Sequence, residues 1–318
     1  MPVIDSNYRP PFWLKSGHLQ SIYPTLFRPP FEIAYMRERL ELSDGDFVDM
    51  DWSKTGSKRL VILSHGLEGN SSRTYITAMV SILNSIGWDC LAWNFRSCSG
   101  QMNRLLRFYH NGDIADLATV ISNAESSYDQ IVLIGFSMGG NVTLNYLSRF
   151  ESPSRKIIKA IVFSVPCDLK GSCDELAKAK NFIYLKRFLI KLKEKIVEKE
   201  KQFPNKISSD HYSKIKNFED FDNRYTAPLH GFKNAQDYWE KGSSLPHLNQ
   251  ISIPTYMINA KNDPFLSDSC YPIEIADANP NLYLEMPASG GHVGFIEFNQ
   301  DRQYWSERRV LDLLSNSI

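Results

Sequence analysis

The chain of 318 residues has no apolar run approaching the roughly 20 residues that a bilayer-crossing helix needs. Its opening stretch, MPVIDSNYRPPFWLKSGHLQ, lacks the charged-then-apolar order of a secretory signal. Neither sign of charge is in excess, because 36 Lys and Arg stand against 36 Asp and Glu. That balance excludes a dedicated nucleic-acid binder, which neutralises phosphates with a basic surplus. Cysteine is scarce, odd in number at five, and never spaced C-x-x-C, so neither a disulfide scaffold nor a thiolate zinc site is expected. A reducing compartment, the cytoplasm, is the expected location. No H-E-x-x-H string offers a metal site, and no metal or other cofactor is expected. A dinucleotide-binding G-x-G-x-x-G is also missing, since 65–70 reads HGLEGN and 135–140 reads GFSMGG. Internal repeats and low-complexity tracts are absent too, and with 42% hydrophobic residues the chain has enough apolar surface for a real core.

The pattern that is present points to an α/β protein. The first 30 residues are rich in Pro and aromatics and read as an extended arm lying on the domain. A hairpin follows, with strands at 39–42 and 47–52 joined through Asp44-Gly45. Short continuous apolar runs then occur at 60–63, 90–93, 131–134, 158–163 and 255–258, mostly separated by helical stretches. Continuous rather than alternating runs suit strands buried on both faces, hence a mainly parallel sheet flanked by helices. Between 166 and 253 lie roughly 85 residues, too many for a simple crossover, and an excursion of that size with its own helices reads as an inserted lid. The expected organisation is a first core part with the arm at 1–166, a lid at 167–250 and a second core part at 251–318.

The chemistry concentrates at GFSMG, 135–139, directly after the strand at 131–134 and before a helical run at 141–150. A nucleophile elbow needs this layout, in which a glycine on each side lets the chain turn sharply and leaves the Ser137 hydroxyl at a helix N-terminus. A nucleophilic serine needs a base to take its proton and an acid to orient that base. In α/β-hydrolases these follow in the order Ser, acid, His, each on a loop after a later strand. Asp263 follows the strand at 255–259, and His292 follows the strand at 282–286 within the glycine-rich GGHVG. Asp268 competes with Asp263 for the acid role, although its position suits capping a following helix. The acyl-transfer transition state also requires an oxyanion hole. The amides expected to form it are those of Met138, just after the nucleophile, and Leu67, in the HGLEG turn at 65–69. His65 is read as holding that turn by hydrogen bonding rather than as a base. Cys98, in a polar turn, is read as a structural thiol.

Within the excursion, 178–206 carries ten Lys or Arg against three Glu, with apolar residues at Phe182, Leu185, Leu189, Leu192 and Ile196. This is an amphipathic basic helix, expected to pack its apolar stripe on the core, with contact to an anionic membrane surface as the alternative. Phe182, Leu185 and Leu189 are the candidates for lining a substrate pocket under the lid. The aromatics Tyr225, Phe232, Tyr238 and Trp239 are read as core.

Several segments together resemble the YheT-like branch of the α/β-hydrolase superfamily, related to ABHD-type lipases and yeast medium-chain acyltransferases. They are PFW at 11–13, GHLQ at 17–20, HGLEG at 65–69, NFRSCSG at 94–100, YHNGD at 109–113, GFSMGGN at 135–141, TAPLHGF at 226–232, NAKNDPF at 259–265 and GGHVGF at 290–295. One departure is Ser97, where a glycine is expected in the turn. The resemblance implies the α/β-hydrolase fold, with Ser137 as nucleophile, Asp263 as acid and His292 as base. It also implies ester hydrolysis or acyl transfer to an alcohol, without a cofactor. From residues and resemblance together, the expected protein is a serine carboxylesterase acting on short- or medium-chain acyl esters, with a small-molecule or lipid ester as its partner. The alternatives are an alcohol acyltransferase or lipase using the same residues, and a non-catalytic binder on a hydrolase fold.

Overall fold

The computed structural model describes residues 3–315. Nine strands among the described residues form one sheet: β1 (Val3–Ile4), β2 (Met36–Glu41), β3 (Phe47–Ser53), β4 (Arg59–Ser64), β5 (Asp89–Asn94), β6 (Gln130–Phe136), β7 (Ile157–Phe163), β8 (Thr255–Ile258) and β9 (Leu282–Glu285). Their spatial order is β1-β9-β8-β7-β6-β4-β5-β3-β2. Pairing is parallel from β1 through β5, while β3 runs antiparallel to both β5 and β2. The hairpin and the mainly parallel sheet therefore stand where the residue pattern puts them.

The continuous apolar runs are explained by two cores, one on each face. Successive side chains of a strand point to opposite faces. Accordingly Leu60, Ile62, Leu133 and Val162 enter one cluster, and Val61, Leu63, Val132 and Ile161 the other. Among the described residues the α-helical segments are α1 (Gly17–Phe27), α2 (Thr74–Ser85), α3 (Ala115–Glu125), α4 (Met138–Arg149), α5 (Leu169–Ala177), α6 (Phe182–Gln202), α7 (Phe218–Phe221), α8 (Ala227–His230), α9 (Ala235–Gly242), α10 (Ile273–Ala278) and α11 (Trp305–Ser315). Helices α3, α4 and α10 cover the first face, and α2 and α11 the second. The outer strand β2 is blunted by charge, because Arg37 and Arg39 pair with Asp51 and Asp49 directly opposite on β3.

The arm departs from its expected extended form. Residues 17–27 are α-helical despite Pro24, and the arm's start adds strand β1 beside β9. Pro and aromatic content obscured that helix in the sequence, and its uses are tertiary. A Cβ on Gly17 would meet the Asn262 carbonyl oxygen at 1.9 Å, and buried Gln20 accepts from Tyr8 and donates to the Leu14 carbonyl.

The excursion between β7 and β8 holds α5 to α9 and packs a core of its own. Leu185, Leu192, Ile196, Tyr212, Phe221 and Tyr225 belong to this cluster. Leu248, in a 3-10 turn at its end, instead enters the main core. Buried Lys199 ties α6 to the loop after β5, donating to the Asn103 carbonyl and side-chain oxygens and to the Leu105 carbonyl, each at 2.8 Å.

Candidate active site

Strand β6 ends at Phe136, and Ser137 then turns the chain into α4. Its φ of 54° and ψ of −121° are strained for a residue with a side chain, and its amide is held by the Phe163 carbonyl at 2.8 Å. The two flanking glycines are required by close approach. A Cβ at Gly135 would lie 2.6 Å from the Gly140 Cα, and one at Gly139 would lie 2.3 Å from the Ser64 carbonyl oxygen. The turn can therefore be sharp only where both side chains are missing.

His292 lies on the loop after β9. Its Nε2 stands 2.9 Å from Ser137 Oγ, and its Nδ1 stands 2.9 and 3.1 Å from the two carboxylate oxygens of Asp263. Asp263, on the loop after β8, is buried and also accepts from the Phe265 amide at 2.9 Å. With Nδ1–H donating to the carboxylate, Nε2 is left to accept from the serine hydroxyl. Helix α1 supports this loop, since Ser21 Oγ accepts from the His292 amide at 2.7 Å. Ser21 carried no signal in the sequence beyond its place beside the GHLQ segment. Asp268 sits elsewhere. It opens the 3-10 turn Asp268–Cys270, whose N-cap is Ser267, and makes no cap hydrogen bond itself, so the expected helix-capping role is not what it does.

The turn after β4 lies across from the serine. Gly66 donates its amide to the Tyr75 hydroxyl at 3.0 Å, and the Glu68 amide goes to the Tyr109 hydroxyl at 3.1 Å. Leu67, between them, lines the same cavity as Ser137, Met138 and His292. His65 holds the turn as a neutral ring. Its Nδ1 is 2.7 Å from the Gly66 carbonyl and its Nε2 accepts from the Phe95 amide at 3.2 Å, while burial pushes its pKa down to about 3. Glu68 is anchored by Lys195, which reaches from α6 to its carboxylate at 2.9 Å and to the Cys98 sulfur at 3.0 Å. The thiol of Cys98 is buried and its pKa raised by that burial, in keeping with a structural role. The sequence shows Lys195 only as one cation of an amphipathic basic helix and gives no sign of this contact. Ser97 occupies the left-handed conformation of a glycine, with φ of 62°, and its hydroxyl bonds the Asn103 side chain and amide.

A cavity of about 130 Å³ leads from Ser137 into the excursion. Helix α6 contributes Phe188, Leu192, Lys195 and Ile196 to its wall, not Phe182, Leu185 or Leu189. Phe182 is 60% exposed, and Leu185 is buried within the excursion's own cluster. Leu192 and Ile196 belong to the stripe read from the sequence but lie further along α6 than the residues chosen from it, so periodicity named the stripe and not the turns that reach the cavity. Tyr225, Tyr238 and Trp239, read from the sequence as core, are buried but also form cavity wall. At the same wall stand the half-buried residues His110 and His230, whose imidazole pKa values desolvation pushes down to about 3 and about 2. Asp222 shares it, accepting from Trp239 Nε1 at 2.8 Å and the Thr226 hydroxyl at 2.6 Å, with its carboxyl pushed up to about 7 by burial.

Five expected site residues thus meet at one place, delivered by four segments at the carboxyl ends of the parallel strands β4, β6, β8 and β9. Residues 59–298 match the model of the alpha/beta hydrolase fold family, and the chain belongs to that family. Among its relatives, YheT of Escherichia coli (strain K12) is 32% identical over 311 residues, 95% of this chain and 91% of that protein. The phospholipase ABHD3 of Homo sapiens is 29% identical over 314 residues, covering 95% of this chain and 76% of the human one. A solved esterase of Pyrococcus furiosus, Pf2001, shares the fold with a TM-score of 0.59 at 20% identity, over 89% of this chain and 90% of that one.

Proposed function

We propose that this protein is a serine carboxylesterase that cleaves short- or medium-chain acyl esters through an acyl-enzyme. The observation that carries the reading is the unbroken hydrogen-bonded line Ser137, His292, Asp263 at the mouth of an apolar cavity. His292 Nε2 takes the serine proton as Oγ bonds to the ester carbonyl carbon, and the carbonyl electron pair moves onto oxygen. The Met138 and Leu67 amides receive that oxyanion. Collapse breaks the bond to the alcohol oxygen, which leaves with the proton from His292, and water then releases the acid by the same route. Asp263 holds the imidazole in the tautomer this requires.

A mainly apolar wall of Leu192, Ile196, Phe218 and Phe221 suits an acyl chain, and the small volume favours a short or medium one, since a cavity of roughly 150 Å³ holds a benzene-sized guest. The excursion at 167–250 acts as a lid that sets chain length. The phospholipase name of a relative at 29% identity is in keeping with an ester bond as the target. Transfer of the acyl group to an alcohol shares every step except the resolving nucleophile. Five unpaired thiols fit the cytoplasm as its location.

Ser137→Ala tests the assignment. Turnover should fall by about 10⁶ and fluorophosphonate labelling should vanish while the fold is retained. Undiminished labelling of the variant overturns it. A panel of esters of graded acyl length, run with and without ethanol while acid and ester products are both measured, separates hydrolysis from transfer.

A further inference from the structure

Single exposed apolar side chains are ordinary on a protein surface, whereas a cluster of them around a functional opening marks an interaction site. Ser137 and His292 are reached from solvent by a groove separate from the acyl cavity, walled by α1 on one side and the first half of α6 on the other. Leu26 on α1 and Ile183 on α6 are parts of these walls, 66% and 71% exposed. Phe27 on α1 and Phe182 on α6 are 64% and 60% exposed, and Ile190 continues the α6 side. The two helices are joined where His18 stacks on Tyr184, 5.7 Å between ring centres. Around the opening, then, large apolar side chains point into water from both walls.

The uncompensated charge beside them has one sign, because the two acids of the groove, Glu68 and Glu307, are paired with Lys195 and Arg28. Helix α1 carries no Asp, Glu, Lys or Arg. On α6 the first twelve residues, 182–193, hold Lys186, Arg187, Lys191 and Lys193 and no acid. Glu194 follows, paired with Lys191. Arg187 and Lys191 line the groove itself. The basic residues later in α6 do not add to this surface, because Lys195 and Lys199 turn inward to Glu68 and to the Asn103 loop. Lys201, exposed near the end of α6, is paired with Glu198, so the outward cations of α6 without an acid partner lie in the half that borders the opening.

We propose that this face docks on the surface of an anionic phospholipid bilayer, with Phe27, Phe182, Ile183 and Ile190 entering the headgroup and acyl boundary and Lys186 and Arg187 meeting lipid phosphates. Amphipathic surface helices with cations beside apolar side chains bind in this manner, through buried apolar area together with attraction to anionic lipid. The consequence for chemistry rests on the esterase reading given above. Docking sets the groove against the phase in which poorly soluble esters are concentrated, so a short- or medium-acyl ester of a lipid alcohol reaches Ser137 without crossing water.

The test uses full-length protein, vesicles of phosphatidylcholine with and without phosphatidylglycerol, and a short water-soluble ester. Wild-type protein should co-sediment with the phosphatidylglycerol vesicles, and less so as salt is raised. The triple variant Phe27→Ser, Phe182→Ser, Ile190→Ser should lose at least tenfold in vesicle affinity, keep a cooperative melting transition, and turn over the soluble ester at the wild-type rate. The double variant Lys186→Glu, Arg187→Glu should lose the preference for the anionic vesicles. Wild-type protein that stays in the supernatant with phosphatidylglycerol vesicles overturns the proposal. So does a wild-type dimer that the triple variant converts to monomer without any vesicle binding, since a second copy would then cover the face. Vesicle binding that persists in a protein inactive on every ester supports docking and overturns the esterase reading alone.

Discussion

At the scale of single residues, the two aspartates after β8 differ in what surrounds them. Asp263 is buried against the His292 ring edge, whereas Asp268 begins a 3-10 turn away from it. An asparagine at 263 would offer an amide where Nδ1–H needs an acceptor and stabilise the wrong tautomer. Asp263→Asn should therefore lower kcat by up to ~10⁴, and Asp268→Asn by less than about tenfold. Steady-state kinetics of the two variants on one soluble ester check this, and the reverse ranking would remove Asp263 from its role. The strained φ of Ser137 fits the same picture, with one amide bond and two glycine-sized contacts holding a conformation that the residue alone disfavours.

At the scale of elements, α6 is where pattern and packing part. Its outward residues are both basic and apolar, its buried leucines share one cluster, and only the fold says which of them also reaches the cavity. Leu192 lies on the cavity wall and Leu185 inside the excursion's own core. Both substitutions to Ala should lower stability, Leu185→Ala by about 2 to 5 kcal/mol. Only Leu192→Ala should also move the preference toward longer acyl chains, with about 1 to 3 kcal/mol of discrimination. Melting curves and an acyl-length profile of both variants separate the two effects, and a shifted profile in Leu185→Ala would place the wall wrongly.

At the scale of the whole molecule, stability should carry a pH dependence from Asp222. Its folded-state pKa of about 7 lies above the unfolded carboxylate value of roughly 3.9. The folded state then binds more protons than the unfolded one between those values, so stability falls as pH rises through that window. Asp222→Asn retains the acceptor for Trp239 and removes the charge. Its melting temperature should decline less between pH 5 and pH 7.5, taken as roughly spanning the upper part of that window, than that of wild type. Parallel slopes for the two proteins would show that Asp222 does not carry the effect.

The sheet and the reacting line were open to reading from residue order because both depend on local pattern. Five both-face-buried strands announce themselves as continuous apolar runs, and GFSMG between a strand and a helix admits few backbones, with an acid and a histidine following on later loops. What only the tertiary structure decided lies in contacts between distant segments. The helix in the arm is supported by the loops of Asp263 and His292, to which Gly17 and Ser21 fit, and no local pattern predicts a partner more than 240 residues away. Lys195 reads as a surface charge until α6 is laid against Glu68. Which turns of the α6 stripe reach the cavity is likewise set by where the helix lies on its neighbours. Periodicity along a chain fixes that a helix has a buried side, while the direction of that side is set by the surface it meets.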